Sequence, residues 1–189
     1  MLSGVSPGVR AEQARRTRAT IQDIALALFA ARGYDATSLQ DIADELGLTK
    51  AAVYYHFPSK SELLQSICEP VYEGVTAIIE RAAGQTARSA RIDAVAESFA
   101  ELTVSRRATI SVLAADPVMH GRMKAASKML DLLDQLARVV YGNDPTPDQL
   151  FAVRSVAVLS DTISTLPTLD DDEALAVLTR AVKRLLPRR

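Results

Sequence analysis

The chain has 189 residues, 48% of them apolar and 24% charged, with a formal net charge of -1. It is too rich in apolar side chains for wholesale disorder and long enough to bury a core without disulfides. The single Cys68 excludes an intrachain bridge and, with two histidines, is too little for a Cys/His metal cluster, so a reducing interior is expected. No apolar run approaches the ~20 residues of a membrane span, and no apolar signal segment follows the Arg-rich N-terminus, so the expected location is cytoplasmic, with no membrane partner. A nearly neutral chain has no bulk attraction for nucleic acid, and any such function has to rest on local arrangement.

Residues 1–14, with Ser3, Gly4, Ser6, Pro7 and Gly8, read as a flexible arm. Arg10, Arg15, Arg16 and Arg18 against the one acid Glu12 make this end locally basic. Beyond it almost everything has helical period and no stretch alternates like a strand, so the expected fold is all-α with about nine helices. Ile21, Ile24, Ala25, Leu28 and Phe29 mark the first helix, which Gly33 closes. Thr37 and Ser38 are both good N-caps, with Gln40 or Asp41 three residues beyond one or the other, and Leu39, Ile42, Ala43 and Leu46 form a short stripe ending at Gly47. Thr49 caps a third helix over about 50–56, because Pro58 disfavours helical geometry at Phe57. Ser59 caps a fourth. Longer helices follow at about 60–84, 91–105, 106–115, 118–141, 147–166 and 171–186, with Pro70 a possible bend in the first. The expected division is an arm over 1–14, a domain of short helices over 15–68 and a domain of longer helices over 69–189.

Two short helices joined by a Gly-containing turn can meet steeply, so that the second projects from the surface. Ala43 and Gly47, four apart, suggest close backbone approach, with Leu39, Ile42, Leu46, Leu48 and Val53 filling the angle. In such a helix-turn-helix the start of the second helix enters the major groove and must be slim, as Ala51 and Ala52 are. Lys50 can reach a guanine edge or a phosphate, and Thr49 with the helix N-terminus can bind a phosphate. Tyr54, Tyr55 and His56 can reach phosphates from the next turn. Adjacent tyrosines cannot both face one core, so at least one faces outward, whereas Phe57 reads as core. Lys60, at the start of the fourth helix, is either a solvated lysine or a phosphate contact.

The stretch "ALFAARGYDATSLQDIADELGLTKAAVYYHFPSKSELL" resembles the TetR family of bacterial transcriptional regulators. It has the Gly-Tyr before a Thr, the Ile-Ala of the second helix, the Gly of the turn and Tyr-Tyr-His-Phe-x-x-Lys, over about Arg15 to Gln65. The resemblance implies an Ω-shaped homodimer binding a palindromic double-stranded DNA operator through a three-helix DNA-binding domain over 15–68, its motif at about 38–57, with a helical ligand-binding and dimerisation domain over 69–189 and an unidentified small-molecule effector that releases it. Carried over by position, it implies duplex contacts from Thr37, Ser38 and Gln40, from Thr49, Lys50, Ala51, Tyr54, Tyr55 and His56, and from Lys60. Ala52 stands where the family often has Thr or Ser, so no polar contact is expected there. Beyond about residue 70 the resemblance is one of architecture only.

The last two helices, about 147–166 and 171–186, are apolar over a wide arc, which implies neighbours on two sides. The resemblance implies that this pair meets its symmetry mate in a four-helix bundle; the alternative is the ordinary core of a monomer. Tyr72, Phe99, Met119, His120, Met123, Met129, Tyr141 and Phe151 are candidates for an adaptable ligand pocket, with plain core packing the alternative for each. Arg154 and Asp161, seven apart on nearly one face, suit either a polar ligand or an ion pair at a dimer interface. Asp170, Asp171, Asp172 and Glu173 suit capping and the helix dipole rather than metal binding. Cys68 reads as a buried structural thiol. No cofactor is expected, and an enzyme is disfavoured by the lack of a nucleophile–base pair, a Gly-rich phosphate loop or metal-ligand spacing. A helical ligand-binding or scaffold protein without DNA recognition is the alternative function.

Overall fold

A computed structural model describes residues 7–115, 125–164 and 169–187. Nine helices occupy the described residues: α1 Pro7–Arg32, α2 Leu39–Glu45, α3 Lys50–His56, α4 Lys60–Ala83, α5 Arg88–Ser105, α6 Arg107–Ala115, α7 Ala125–Tyr141, α8 Pro147–Ser164 and α9 Asp171–Leu185. The all-α expectation holds. The chain divides into two compact units, Met1–Ile67 and Cys68–Arg189, within α4. No helix among the described residues is long and apolar enough to cross a membrane.

Residues 7–14, expected in a flexible arm, instead begin α1. Proline at the first position of a helix gives up an amide that would have no partner there, and its φ is already helical. Glu12 then pairs with Arg15 at 2.8 Å and Arg16 at 3.2 Å, the i,i+3 and i,i+4 contacts that steady an exposed helix. Those two arginines are therefore helix-surface residues.

In the first unit, Ile21, Ala25, Leu28 and Phe29 of α1 are buried with Leu39, Ile42 and Ala43 of α2, Val53 of α3, Phe57, and Leu63 and Leu64 of α4. Ser38, not Thr37, caps α2. Its hydroxyl accepts from the Asp41 amide at 3.1 Å, and the Asp41 carboxylate accepts from the Ser38 amide at 2.7 Å. These bonds hold the Asp41 carboxyl below the usual carboxylate range, the Ser38 side chain being the largest cause. At the other end of α2 the Gly47 amide donates to Asp44 and the Leu48 amide to Ala43, a Schellman turn with Gly47 at φ +62°. A Cβ on Gly47 would meet nothing within 4 Å. The expected close packing is therefore not what this glycine provides; it provides the left-handed backbone that reverses the chain.

The second unit is built on one apolar cluster. Val75, Ile78, Ile79 and Ala82 of α4 meet Ile92, Val95 and Ala96 of α5, Leu133, Leu136, Ala137 and Val140 of α7, Ala152, Val153 and Val156 of α8, and Val182 of α9. The α9 helix lies chiefly along α5, with Ala100, Ala174 and Leu178 in a smaller cluster. It starts with the expected capping: Asp170 accepts from the Glu173 amide at 2.8 Å, and Glu173 reaches back to the Asp170 amide. Pro70 sits inside α4, which continues through it. The expected start of the helix at 118 and the breaks at 116–117 and 166–167 lie outside the described residues.

Replacing Gly47 by Ala should destabilise the first unit by about 1–2 kcal/mol, the cost of a left-handed L-residue, and Gly47→Asn by less. Urea unfolding of the three proteins should rank them Gly, Asn, Ala; an Ala variant as stable as the parent would contradict the turn geometry. Cys68 is 1% exposed, and burial, with the nearby Glu69 charge second, pushes its thiol up to about 12 from 9.0. Its thiolate fraction at pH 8 is then about a thousandfold below that of a free thiol, so a chromogenic disulfide reagent should label it only after unfolding. By linkage this thiol's contribution to stability is complete below pH 9 and fades as pH rises through about 12, because the unfolded chain ionises first.

Candidate nucleic-acid interface and cavity

The α3 helix has two sides of opposite character. Val53 is fully buried and Phe57, just past the helix, is 1% exposed, whereas Tyr54 is 42% and Tyr55 83% exposed. Thr49, Lys50 and Ala51 are exposed as well, so the slim N-terminal face of the helix lies open. Thr49 caps α3 by accepting from the Ala52 amide at 3.2 Å, which leaves its hydroxyl proton available for an acceptor outside. The Lys50 ammonium stands 5.6 Å from the Tyr54 ring centroid. His56 is half-buried, its ring edge-on to Tyr55 with centroids 5.2 Å apart.

Gln40 and Ser38 are exposed at the start of α2. The Gln40 amide donates to Asp44 at 2.6 Å, and the Ser38 hydroxyl donates to Asp41 at 2.6 Å within the cap. Thr37 does not join this surface. It is 1% exposed, and its hydroxyl donates to the Gly33 carbonyl at 2.9 Å, closing the turn from α1. Lys60 does not join it either. Its ammonium donates to the carbonyls of Tyr34 at 2.7 Å and Thr37 at 2.8 Å and lies 4.2 Å from the Tyr34 ring centroid. With an ammonium so engaged, Lys60 holds the α1–α2 turn against the start of α4 rather than facing a duplex. The Tyr34 ring in turn packs edge-on against Phe29 at 5.1 Å.

One residue that positions this surface escaped the sequence reading. Arg18 of α1 donates to the His56 carbonyl at 2.7 Å, and its guanidinium lies 4.1 Å from the Phe57 ring centroid. A cation at the C-terminal end of a helix is favoured by the unpaired carbonyls and the dipole there. In sequence, Arg18 counted only toward a basic end, because its partner lies 38 positions away.

In the second unit α4, α5, α6, α7 and α8 line a largely apolar cavity of about 400 Å³. Five of the candidates line it: Tyr72, Phe99, Met129, Arg154 and Asp161. Tyr141 and Phe151 do not. Tyr141 packs near Arg88, its hydroxyl buried with no partner and pushed up to about 12 by burial, while Phe151 is 73% exposed. Met119, His120 and Met123 lie outside the described residues. Cys68 and Thr103 line the cavity without having been expected there. Gly74 helps to shape it: a Cβ on this α4 residue would overlap Leu102 of α5, a lining side chain. Arg154 has its own partner, Asp134 of α7, through two bonds of 3.0 and 2.9 Å.

On α8, Phe151 and Val158, seven apart, are 73% and 60% exposed, and Val158 also lines the cavity. Large apolar groups in register on one helix face ordinarily meet a partner.

Comparison with known proteins gives this arrangement its context. Residues 21–67 match the family model described as bacterial regulatory proteins, tetR family. The chain is 45% identical over 58 residues to the HTH-type transcriptional regulator AcrR of Shigella flexneri, a match spanning 31% of this chain and 27% of that protein. Against the HTH-type transcriptional regulator SrpR of Pseudomonas putida it is 30% identical over 167 residues, 82% of this chain and 76% of the relative. In fold it is similar to the crystal structure of NalD, the secondary repressor of the MexAB-OprM multidrug efflux pump in Pseudomonas aeruginosa, with a TM-score of 0.72 at 21% identity over 94% of this chain and 98% of the other. With its helix-turn-helix unit and a relative matched along most of its length, the chain belongs to the tetR family of bacterial transcriptional regulators, proteins that act by regulation and not as enzymes.

Proposed function

We propose that the protein is a homodimeric repressor that reads a palindromic operator with α3 and is released by a small molecule held in the cavity of the second unit. The observation that carries this reading is the division of α3, where Val53 and Phe57 fix the helix from behind while Thr49, Lys50, Ala51, Tyr54 and Tyr55 face outward. A slim start lets the helix approach base edges. Lys50 then serves a guanine edge or a phosphate, and Thr49, Tyr54, Tyr55 and His56 serve phosphates, with Ser38 and Gln40 at the flank. Thr37 and Lys60 have structural roles in this scheme.

A palindromic site requires two copies of the reader related by a two-fold axis, about 34–36 Å apart along the duplex. The exposed Phe151 and Val158 on α8 support a dimer contact there, because a C2 interface buries one self-complementary patch from each copy. The names of the similar proteins support repression: NalD is a repressor. For the cavity to act as a switch, its ligand has to favour one spacing of the readers over another, since equal affinity for both would shift nothing.

Selection from random duplex DNA should enrich an inverted repeat with half-sites one helical turn apart. The Lys50→Ala, Tyr54→Ala protein should enrich none. On the selected duplex Lys50→Ala alone should weaken binding by about 1–3 kcal/mol if it contacts a guanine, with relaxed preference at that position. If it contacts a phosphate, the loss should be uniform across sequences and the salt slope shallower by about one. Enrichment of unrelated sequences, or of none at low salt, would favour a ligand-binding protein without DNA recognition.

A further inference from the structure

The cavity has polar groups at few points, and their partners differ. Arg154 is the one basic residue of the described lining, and its guanidinium is gripped in two places by Asp134, at 3.0 and 2.9 Å. Ser160 gives its hydroxyl proton to the Ala157 carbonyl at 2.6 Å, the usual local bond of a hydroxyl within a helix. Asp161 adds an acidic group to the wall. Thr103 is different. It lies on α5, is 1% exposed, and its Oγ1 has no hydrogen-bond partner in the protein, not even the carbonyl one turn earlier that a helical threonine usually finds.

A buried hydroxyl without a partner is costly to the fold, and such groups in native proteins cluster where something else completes them. In the wall of a cavity of about 400 Å³, within the range of small-molecule sites, the missing partner can be a ligand atom. The charges narrow the chemistry further. A carboxylate or phosphate would need a cation, and the one guanidinium among the described lining residues already holds Asp134. An unbranched hydrocarbon would leave Thr103 as unsatisfied as before.

We infer that the effector is a neutral, largely apolar molecule carrying a hydrogen-bond acceptor, such as a ketone, ester or ether oxygen, which accepts from the Thr103 hydroxyl. The inference rests on the reading of this cavity as the effector site and adds to it a ligand class and a residue that selects within the class. Thr103 is a specificity-determining contact: a ligand with the acceptor fills its bonding capacity, and one without it leaves the hydroxyl stranded. Sites built to bond a polar ligand group discriminate strongly against analogues that lack it.

The test uses the full chain and Nile red, a neutral dye whose fluorescence rises in apolar surroundings, as the displaced reporter. Three competitors share one skeleton: benzophenone has a neutral acceptor, diphenylmethane has none, and 4-benzoylbenzoate adds a negative charge. Benzophenone should bind about tenfold more tightly than diphenylmethane, the worth of one neutral hydrogen bond. The carboxylate should bind at least tenfold more weakly than benzophenone. In Thr103→Val, which keeps the shape and removes the hydroxyl, the ketone preference should shrink to less than about twofold, while Thr103→Ser should retain it. Thermal melts identify folded variants, and because Thr103→Val removes a stranded polar group it should melt no lower than the parent. Nile red binding with equal affinity for ketone and hydrocarbon, a preference that survives Thr103→Val, or tighter binding of the carboxylate would overturn the inference and leave the cavity as an effector site of another chemistry. Failure of Nile red to bind the parent protein would overturn the effector-cavity reading itself, and the inference with it.

Discussion

A seven-residue helix cannot hold itself together in water: its nucleus is costly, and it has too few turns to repay it. Everything proposed for α3 depends on supports outside it. Val53 and Phe57 anchor it in the core of the first unit. Thr49 caps its start, and Arg18 of α1 takes up a carbonyl at its end. The Schellman turn at Gly47 sets the direction in which the chain leaves α2. Behind these, Lys60 and Thr37 tie down the turn that delivers α2, through carbonyls of Gly33, Tyr34 and Thr37. Apart from Thr49, which also caps the helix, the outer face can then be chosen for recognition, since Lys50, Ala51, Tyr54 and Tyr55 are not among these supports.

The features legible in the sequence were local ones. Helical period gave the number and kind of elements, and caps three residues from their partners were readable, as with Thr49, Ser59 with Glu62, and Asp170 with Glu173. The Ser38 cap was legible only as one of two choices, because Thr37 has the same chemistry and only burial separates them. Non-local bonds were not legible. Lys60 and Arg18 each carry a group suited to a phosphate, and in each the bond goes to a backbone carbonyl 23 or 38 positions away, whereas Thr37 bonds the Gly33 carbonyl only four positions back. Residues 7–14 misled for a related reason. Proline and glycine punctuate a chain in isolation, yet Pro7 at a helix start and Glu12 between two arginines favour the helix.

The candidate cavity was legible in outline only. Met and aromatic residues on helical faces point to a core, but period does not tell which side of the core is left open. Tyr72, Phe99 and Met129 face the cavity, Tyr141 packs elsewhere, and Phe151 lies exposed on α8. Arg154 was readable as a polar group in an apolar helix. Its partner, Asp134, belongs to another helix and changes its meaning from a ligand contact or an interface group to half of an ion pair within the chain. Thr103 gave no signal at all, because a threonine inside an amphipathic helix normally satisfies itself, and only the structure shows that this one does not.

The proposed role of α3 requires that its open face enter the major groove. Methylation interference on a selected duplex tests it most directly, because dimethyl sulfate marks guanine N7 in the major groove and adenine N3 in the minor groove. Methylated guanines should block binding in two clusters separated by one helical turn, with little effect from methylated adenines. Interference from adenines alone, or binding indifferent to both, would contradict it.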